Sequence, residues 1–514
     1  LAESIPTAVL STPAGLQRTQ IEEWPPVGVD SQELTGYAAV ELVGLMRSRR
    51  VSVTEVMRAH LERIEQLNPY LNAIVDLQPD RALAAAAALD RDHDRRGEDP
   101  LFGLPTAHKD LVPARGFRFT QGSPLFAERI AADDDLIVRR MAAAGAVAVG
   151  KTNVPEFGLG SHSFNPVYGV TRNPWNLART AGGSSGGAGA ALASRLLPIA
   201  DGSDTGGSLR NPASYCNITA LRPSPGTVPS GAEAFPYGTL AVKGPMARTV
   251  ADVALLLSVL AGSDDRSPLS VGLPAPELIM PADRPVRLAW SPDLGGLATV
   301  DPSVTAALEP VITAVADKLG WHLETAVPDL GPALDYFTVI RAMQLEQTLG
   351  PLVDQYPDLI KPDAIWNVEI GRRLGGPEIG RVLAGIGAVH QIMVDFFGRY
   401  DLLLTPTCQV PPFPVGTRYP QEINGVAMQD YLEWMRIPSA ITGTACPAMS
   451  LPAAFTADGL PVGLQVVAPF RREGALLGYA SVLEAALTDT TPGLREAPSI
   501  DVTAPVPDPF EPIG

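Results

Sequence analysis

Lysine is scarce in this 514-residue chain: Lys109, Lys151, Lys243, Lys318 and Lys361 are the whole set, and the other 34 of its 39 basic residues are arginine. Cysteine is scarcer. Cys216, Cys408 and Cys446 are an odd, widely spaced trio without a C-x-x-C pair, which excludes a disulfide scaffold and a thiolate metal cluster and leaves buried thiols as the plain reading. There are six histidines and no H-E-x-x-H pair, so no metal site is expected and no cofactor is called for. Basic charge is outweighed by 56 acidic residues, giving a net charge of −17 and a pI near 4.8. Nucleic acid and anionic membrane surfaces need clustered basic residues, so neither is an expected partner. No apolar run is expected to reach the eighteen residues of a membrane helix, because charges such as Arg195 and Asp201 interrupt the candidates. The chain starts at Leu1 with no basic-plus-apolar leader to read; the cytoplasm is the expected compartment, with secretion or the periplasm left open.

What the chain has is apolar content, 46% against 18% charged, enough for a large core. Length alone suggests about three domains. Residues 1 to about 35 carry four prolines and little periodicity, and read as an N-terminal arm. Ser52-Val53-Thr54-Glu55 is a capping box opening a helix whose apolar stripe includes His60, a core histidine rather than a ligand. A helix over 136–144 precedes a buried strand over 146–149, and Thr249-Val250-Ala251-Asp252 opens a helix through Leu260. Strands over 286–290, 402–404 and 462–467 alternate with helices, which favours a layered α/β architecture. The proline-rich stretch 273–285 reads as a surface excursion, since composition is unchanged on either side.

Chemistry concentrates in two glycine-bracketed serine clusters, Gly182-Gly183-Ser184-Ser185-Gly186-Gly187 and Gly202-Ser203-Asp204-Thr205-Gly206-Gly207-Ser208, the second running into Leu209-Arg210-Asn211-Pro212. Interior glycine costs about 0.5–1 kcal/mol relative to alanine, so this density points to backbone approached closely by another group. Three motif matches compete. Gly145–Thr152 satisfies G-x-x-x-x-G-K-[ST], but its intervening residues are themselves strand-like, where a phosphate loop needs an open turn. Gly182–Gly186 matches the G-x-S-x-G elbow of α/β-hydrolases, yet the later histidines, His322 and His390, lack a catalytic loop context. Asp92-His93-Asp94 lies among arginines and reads as solvated. Lys109 stands at the end of an apolar segment, Phe102 to Val112, where desolvation would lower its pKa toward that of a general base; an ion pair with Asp110 is the equal alternative from the residues alone.

Together Lys109, the 182–187 cluster and the 202–210 cluster resemble the amidase signature family. The spacing agrees with that family, 75 residues from Lys109 to Ser184 and 24 from Ser184 to Ser208, as do Arg172-Asn173-Pro174-Trp175-Asn176, Asp401 to Thr407, and Gly459 to Gln465. The resemblance spans roughly residues 36 to 490 and implies one large α/β/α domain over 36–500, a central mixed sheet covered by helices, with a tail over 501–514. It implies Ser208 as nucleophile, Ser184 as a bridging serine preceded by a cis peptide, and Lys109 as base. It implies an oxyanion hole from the backbone N–H groups of Thr205, Gly206, Gly207 and Ser208. Asp204 and Arg210 are expected to clamp the loop, and Ser185 to hydrogen-bond around the triad; the change to Ser at position 203, where many relatives have Thr, is expected to matter little.

The implied activity is a serine amidohydrolase cleaving a carboxylic amide through an acyl-enzyme, with carbamate or aryl-acylamide hydrolysis by the same triad as the alternative and an amidotransferase amidase subunit behind it. The expected partner is a small-molecule amide or carbamate, and the expected assembly a monomer or homodimer. Segments 119–130 and 336–366 are expected to build the substrate pocket. Phe126, Met343 and Trp366 are candidate lining residues for which the core is the plainer place, and such a lining would favour an apolar or aryl group over a highly charged one.

Overall fold

Eight strands form one mixed sheet in the order His322–Thr325, Arg287–Trp290, Leu402–Pro406, Pro461–Val467, Ala448–Phe455, Thr219–Arg222, Val242–Ala247 and Ile199–Asp204 in the computed structural model. The described residues are 31–92, 95–231, 234–270, 279 and 284–503. The expected arm up to residue 30, His93, Asp94, most of the 273–285 excursion and the tail from 504 lie outside them.

The first three strands of the sheet pair parallel and all the others antiparallel. Both faces are buried, and side-chain alternation shows how. Leu402 and Leu404 join the larger apolar cluster with the helices Val250–Leu260, Pro302–Leu319 and Glu473–Thr490, while Leu403 between them faces a second cluster with Ile437, Ala440, Met393 and Phe396. This is the α/β/α layering expected from the sequence. A smaller sheet of Ile74–Val75, Val147–Thr152 and Pro105–Lys109 sets its last strand beside Ile199–Asp204, so Lys109 arrives next to the edge of the large sheet.

Local signals behave as their chemistry dictates. Ser52 Oγ accepts from Glu55 N–H at 3.1 Å while Glu55 returns to Ser52 N–H at 2.7 Å, opening the helix Val53–Leu71. Residues 147–152 are strand, so the Gly145–Thr152 match has no phosphate-cradling turn. One expectation needs correction: the helix Gly376–Phe397 is long and apolar enough, by length and composition, to cross a membrane, and little of it is buried. Glu378, Arg381 and Asp395 do interrupt it, but an 18-residue stretch of it carries no more than two charges, too few to exclude it on composition.

Candidate active site

The strand Pro105–Lys109 is buried along its whole length and delivers Lys109 into the interior with 0% exposure. Its backbone is fixed by Asp201, whose Oδ2 accepts from Lys109 N–H at 3.2 Å while Oδ1 lies 2.6 Å from His108 Nδ1. Lys109 Nζ then has three oxygen neighbours: Ser184 Oγ at 2.8 Å, Ser203 Oγ at 2.9 Å and the Ser203 carbonyl at 3.2 Å. Burial pulls its pKa down to about 7, with the carboxylates of Asp204 and Asp201 opposing that fall.

Ser184 follows a cis Gly183–Ser184 peptide, and Ser161 Oγ donates to the Gly183 carbonyl at 2.5 Å. Ser185 ties the two serine clusters together: its N–H donates to the Ser208 carbonyl at 3.1 Å, and its hydroxyl lies 3.4 Å from both the N–H and the carbonyl of Ser203. The helix Gly186–Ala193 that follows packs so tightly that a Cβ at Gly187 would collide with Asn153 N and sit 2.5 Å from the Ala73 carbonyl oxygen. Glycine there serves backbone approach.

The 204–210 segment is organised around one buried carboxylate. Asp204 accepts from Gly207 N–H at 2.9 Å, from Leu209 N–H at 3.1 Å and from Arg210 Nε and Nη2 at 3.0 and 2.9 Å, with Arg222 Nη1 at 3.3 Å. Burial alone would raise its pKa; the Arg210 and Arg222 guanidiniums hold it well below the usual carboxylate range. Arg210 also reaches Gln465 Oε1 at 2.6 Å, and Gln465 Nε2 donates to Thr405 Oγ1 at 2.8 Å, joining the distant Asp401–Thr407 and Gly459–Gln465 stretches to this loop. Asp204 and Arg210 therefore clamp the loop and sit beneath it.

This clamp engages one of the four expected oxyanion donors. The Gly207 N–H is already donated to Asp204, and Gly207 does not line the cavity above; its φ of +110° makes the turn instead, where a Cβ would meet Pro438 Cβ at 2.8 Å. Thr205, Gly206 and Ser208 do line it, and among the described residues their N–H groups have no acceptor. Nothing among the described residues hydrogen-bonds the half-buried Ser208 hydroxyl.

The cavity over Ser184 and Ser208 is about 370 Å³. Phe157, Phe235, Leu345, Met435 and Leu432 give it apolar walls, and the helix Gly331–Gln355 presents Phe337, Arg341, Gln344 and Thr348 along one face. Part of the expected 336–366 segment thus builds it, but the three candidate side chains do not: Phe126 packs edge-on to Phe157 at 6.4 Å, Trp366 packs on Tyr431 at 5.7 Å, and Met343 joins a neighbouring apolar cluster. Helical phase decides between 343 and 344, and no sequence pattern fixes it. Ser203 touches Lys109 directly, through a hydroxyl that Thr would also carry. Its signal is present in the sequence: Asp201 and Ser203 share one face of their strand.

His60, His322 and His390 do not line the cavity. His60 is buried on the Leu196 carbonyl at 3.0 Å, with burial pushing its pKa down to about 3, while His322 and His390 are exposed on other elements, which removes the hydrolase-elbow reading. Lys151, buried, lies 3.7 Å from Asp110, so the ion pair with that carboxylate belongs to Lys151 and not to Lys109. All three cysteines are free and buried. Among the described residues no group of three or more His, Cys, Asp or Glu side chains is placed to hold a metal.

Comparison with known proteins identifies the family. The Amidase family profile matches residues 55–359 and 385–477. An acylamidase from Rhodococcus erythropolis is 36% identical over 471 residues, covering 88% of this chain and 96% of that protein. A subunit of the glutamyl-tRNA(Gln) amidotransferase from Pseudomonas aeruginosa is 33% identical, covering 86% and 95%. Among solved structures, a bacterial aryl acylamidase of the amidase signature family superposes with a TM-score of 0.83 at 28% identity, covering 92% of this chain and all of that one. A substrate complex of 6-aminohexanoate cyclic dimer hydrolase gives 0.79 at 27% identity over 90% and 99%. The chain belongs to the amidase family.

Proposed function

We propose that this amide-hydrolysing enzyme cleaves its C–N bond through an acyl-enzyme on Ser208, with neutral Lys109 as base and Ser184 as proton relay. The observation that carries this reading is the environment of Lys109 Nζ, fully buried, with a pKa near 7 and three oxygens around it. A neutral amine has two N–H bonds and one lone pair. Donation to the two Ser203 oxygens leaves the lone pair for the Ser184 hydroxyl proton, which is the polarity a base needs. Ser208 Oγ attacks the carbonyl carbon, its proton passes to Ser184 and the Ser184 proton to Lys109. The oxyanion is met by the N–H groups of Thr205, Gly206 and Ser208, each worth about 2.7–4 kcal/mol of transition-state stabilisation by analogy with measured oxyanion-hole donors. Collapse expels the amine with a proton returned through Ser184, and water then attacks the acyl-enzyme by the same relay.

Aryl acylamides are the favoured substrates within this reading, because Phe157, Phe235 and Phe337 line the cavity and two of the relatives are acylamidases. A carbamate presents the same carbonyl and is the second substrate class. The amidotransferase reading rests on the 33% relative and requires a partner to receive ammonia. Hydrolysis of an aliphatic amide, a nitroanilide, a peptide amide and an aryl carbamate by the isolated chain, eluting as a monomer or homodimer, tests all three. The triad reading expects turnover with water as acceptor and a fall of at least about 1,000-fold in Ser208→Ala and Lys109→Ala, both folded. Activity that survives in Lys109→Ala overturns the choice of base.

A further inference from the structure

Arg341 is the feature of the cavity that amide cleavage does not use. It lines the cavity with only 8% exposure, and among the described residues no carboxylate lies within 4 Å of it. The buried arginines behind the reaction loop, Arg210 and Arg222, share the carboxylate of Asp204. Arg341 instead donates Nη1–H to the Asn367 side-chain oxygen and Nη2–H to the Tyr431 hydroxyl, the latter at 2.5 Å, and the Tyr431 hydroxyl also accepts from Asn367 Nδ2 at 2.7 Å. Both partners are neutral. They orient the guanidinium without cancelling its charge, and a buried cation without a counter-charge is costly.

We propose that Arg341 is a specificity-determining residue that pairs with a carboxylate carried by the substrate, so that the preferred amide has an apolar or aryl body and one acidic end. This rests on the cavity over Ser208 being where the amide is cleaved. Guanidinium geometry matches a carboxylate with two parallel N–H···O bonds, and its planar fork, already held by Asn367 and Tyr431, loses little freedom on pairing. The apolar walls, Phe337 and Leu345 among them, strengthen the pairing by excluding water. The net charge of −17 makes such a local cation the more necessary for holding an anion.

Two matched pairs test it, one for each side of the scissile bond. On the amine side 4-acetamidobenzoate is compared with 4-acetamidoacetophenone, and on the acyl side glutaric monoanilide with 5-oxohexananilide. The expected result is that the acid of at least one pair exceeds its ketone in kcat/KM by about ten- to a hundredfold, carried mainly by KM, and that Arg341→Met and Arg341→Gln both erase that ratio while Arg341→Lys restores part of it. Calorimetric binding of the same four compounds to Ser208→Ala gives the ratio without turnover. Equal handling of acid and ketone in both pairs, or a preference unchanged in the Arg341 variants, overturns the proposal while leaving amide hydrolysis intact. Absence of hydrolysis of all four would count against the cleavage reading, and the binding ratios would still decide the role of Arg341.

Discussion

An ammonium ion buried away from water with no carboxylate in contact is easier to deprotonate than one in water, and Lys109 is in that position. If its neutral form is the base, kcat/KM rises as pH climbs through about 7 and levels off above it, as a pH–rate profile on one anilide would record. Stability shifts with the same group. Between about 7 and the ordinary lysine value of 10.5 the unfolded chain holds the Lys109 proton and the folded chain does not, so the Lys109 contribution to stability grows with pH across that window and is lost as pH falls toward 7. Urea unfolding at a series of pH values is expected to show Lys109→Met gaining most over wild type near pH 7, with the gap closing by pH 10; a constant gap would contradict the lowered pKa. Lys109 is legible in the sequence because lysine is rare and its neighbours are apolar. Ser203 is legible only in part: alternation puts it on the Asp201 face of its strand, but its importance depends on a contact with a residue 94 positions away in the chain.

At the scale of elements, the same residue type has opposite meanings in two helices. Gly187 lies in a wholly buried helix against the backbone of Asn153 and Ala73, whereas Gly385 on Gly376–Phe397 has nothing within 4 Å of where its Cβ would be. Gly187→Ala is expected to destabilise by about 1–3 kcal/mol or more through overpacking. Gly385→Ala is expected to stabilise by about 0.5–1 kcal/mol through helix propensity alone. Thermal melts of the two variants check both signs at once. Elements themselves are readable from local chemistry: the Ser52 capping box, and the strand seen over Pro461–Val467 where alternation places 462–467. The facing of the long pocket helix is not, since Phe337, Arg341, Gln344 and Thr348 form one face only relative to a partner surface assembled from remote segments. Charge interruption is also a poor guide to the membrane-length character of Gly376–Phe397, whose three charges, Glu378, Arg381 and Asp395, lie toward its ends and leave an apolar length between them.

For the molecule as a whole, the sheet shares one apolar cluster with elements from Leu34 to Leu494, a distribution that favours a single cooperative unit over the three domains suggested by length. Calorimetry is expected to give one transition with calorimetric and van 't Hoff enthalpies in agreement, and two resolved transitions would contradict it. Fold and amide-hydrolysing activity are legible because the serine clusters and their spacing belong to one family; that the Gly207 N–H is donated to Asp204 is visible only in the structure. Every proposed step depends on the nucleophile. Acid-quenching the enzyme during turnover of a slowly deacylating aryl acylamide, followed by peptide mass mapping, tests it most directly. The expected result is the acyl mass on the peptide carrying Ser208 and its loss in Ser208→Ala together with turnover; an acyl group on another side chain, or undiminished turnover in Ser208→Ala, would contradict it.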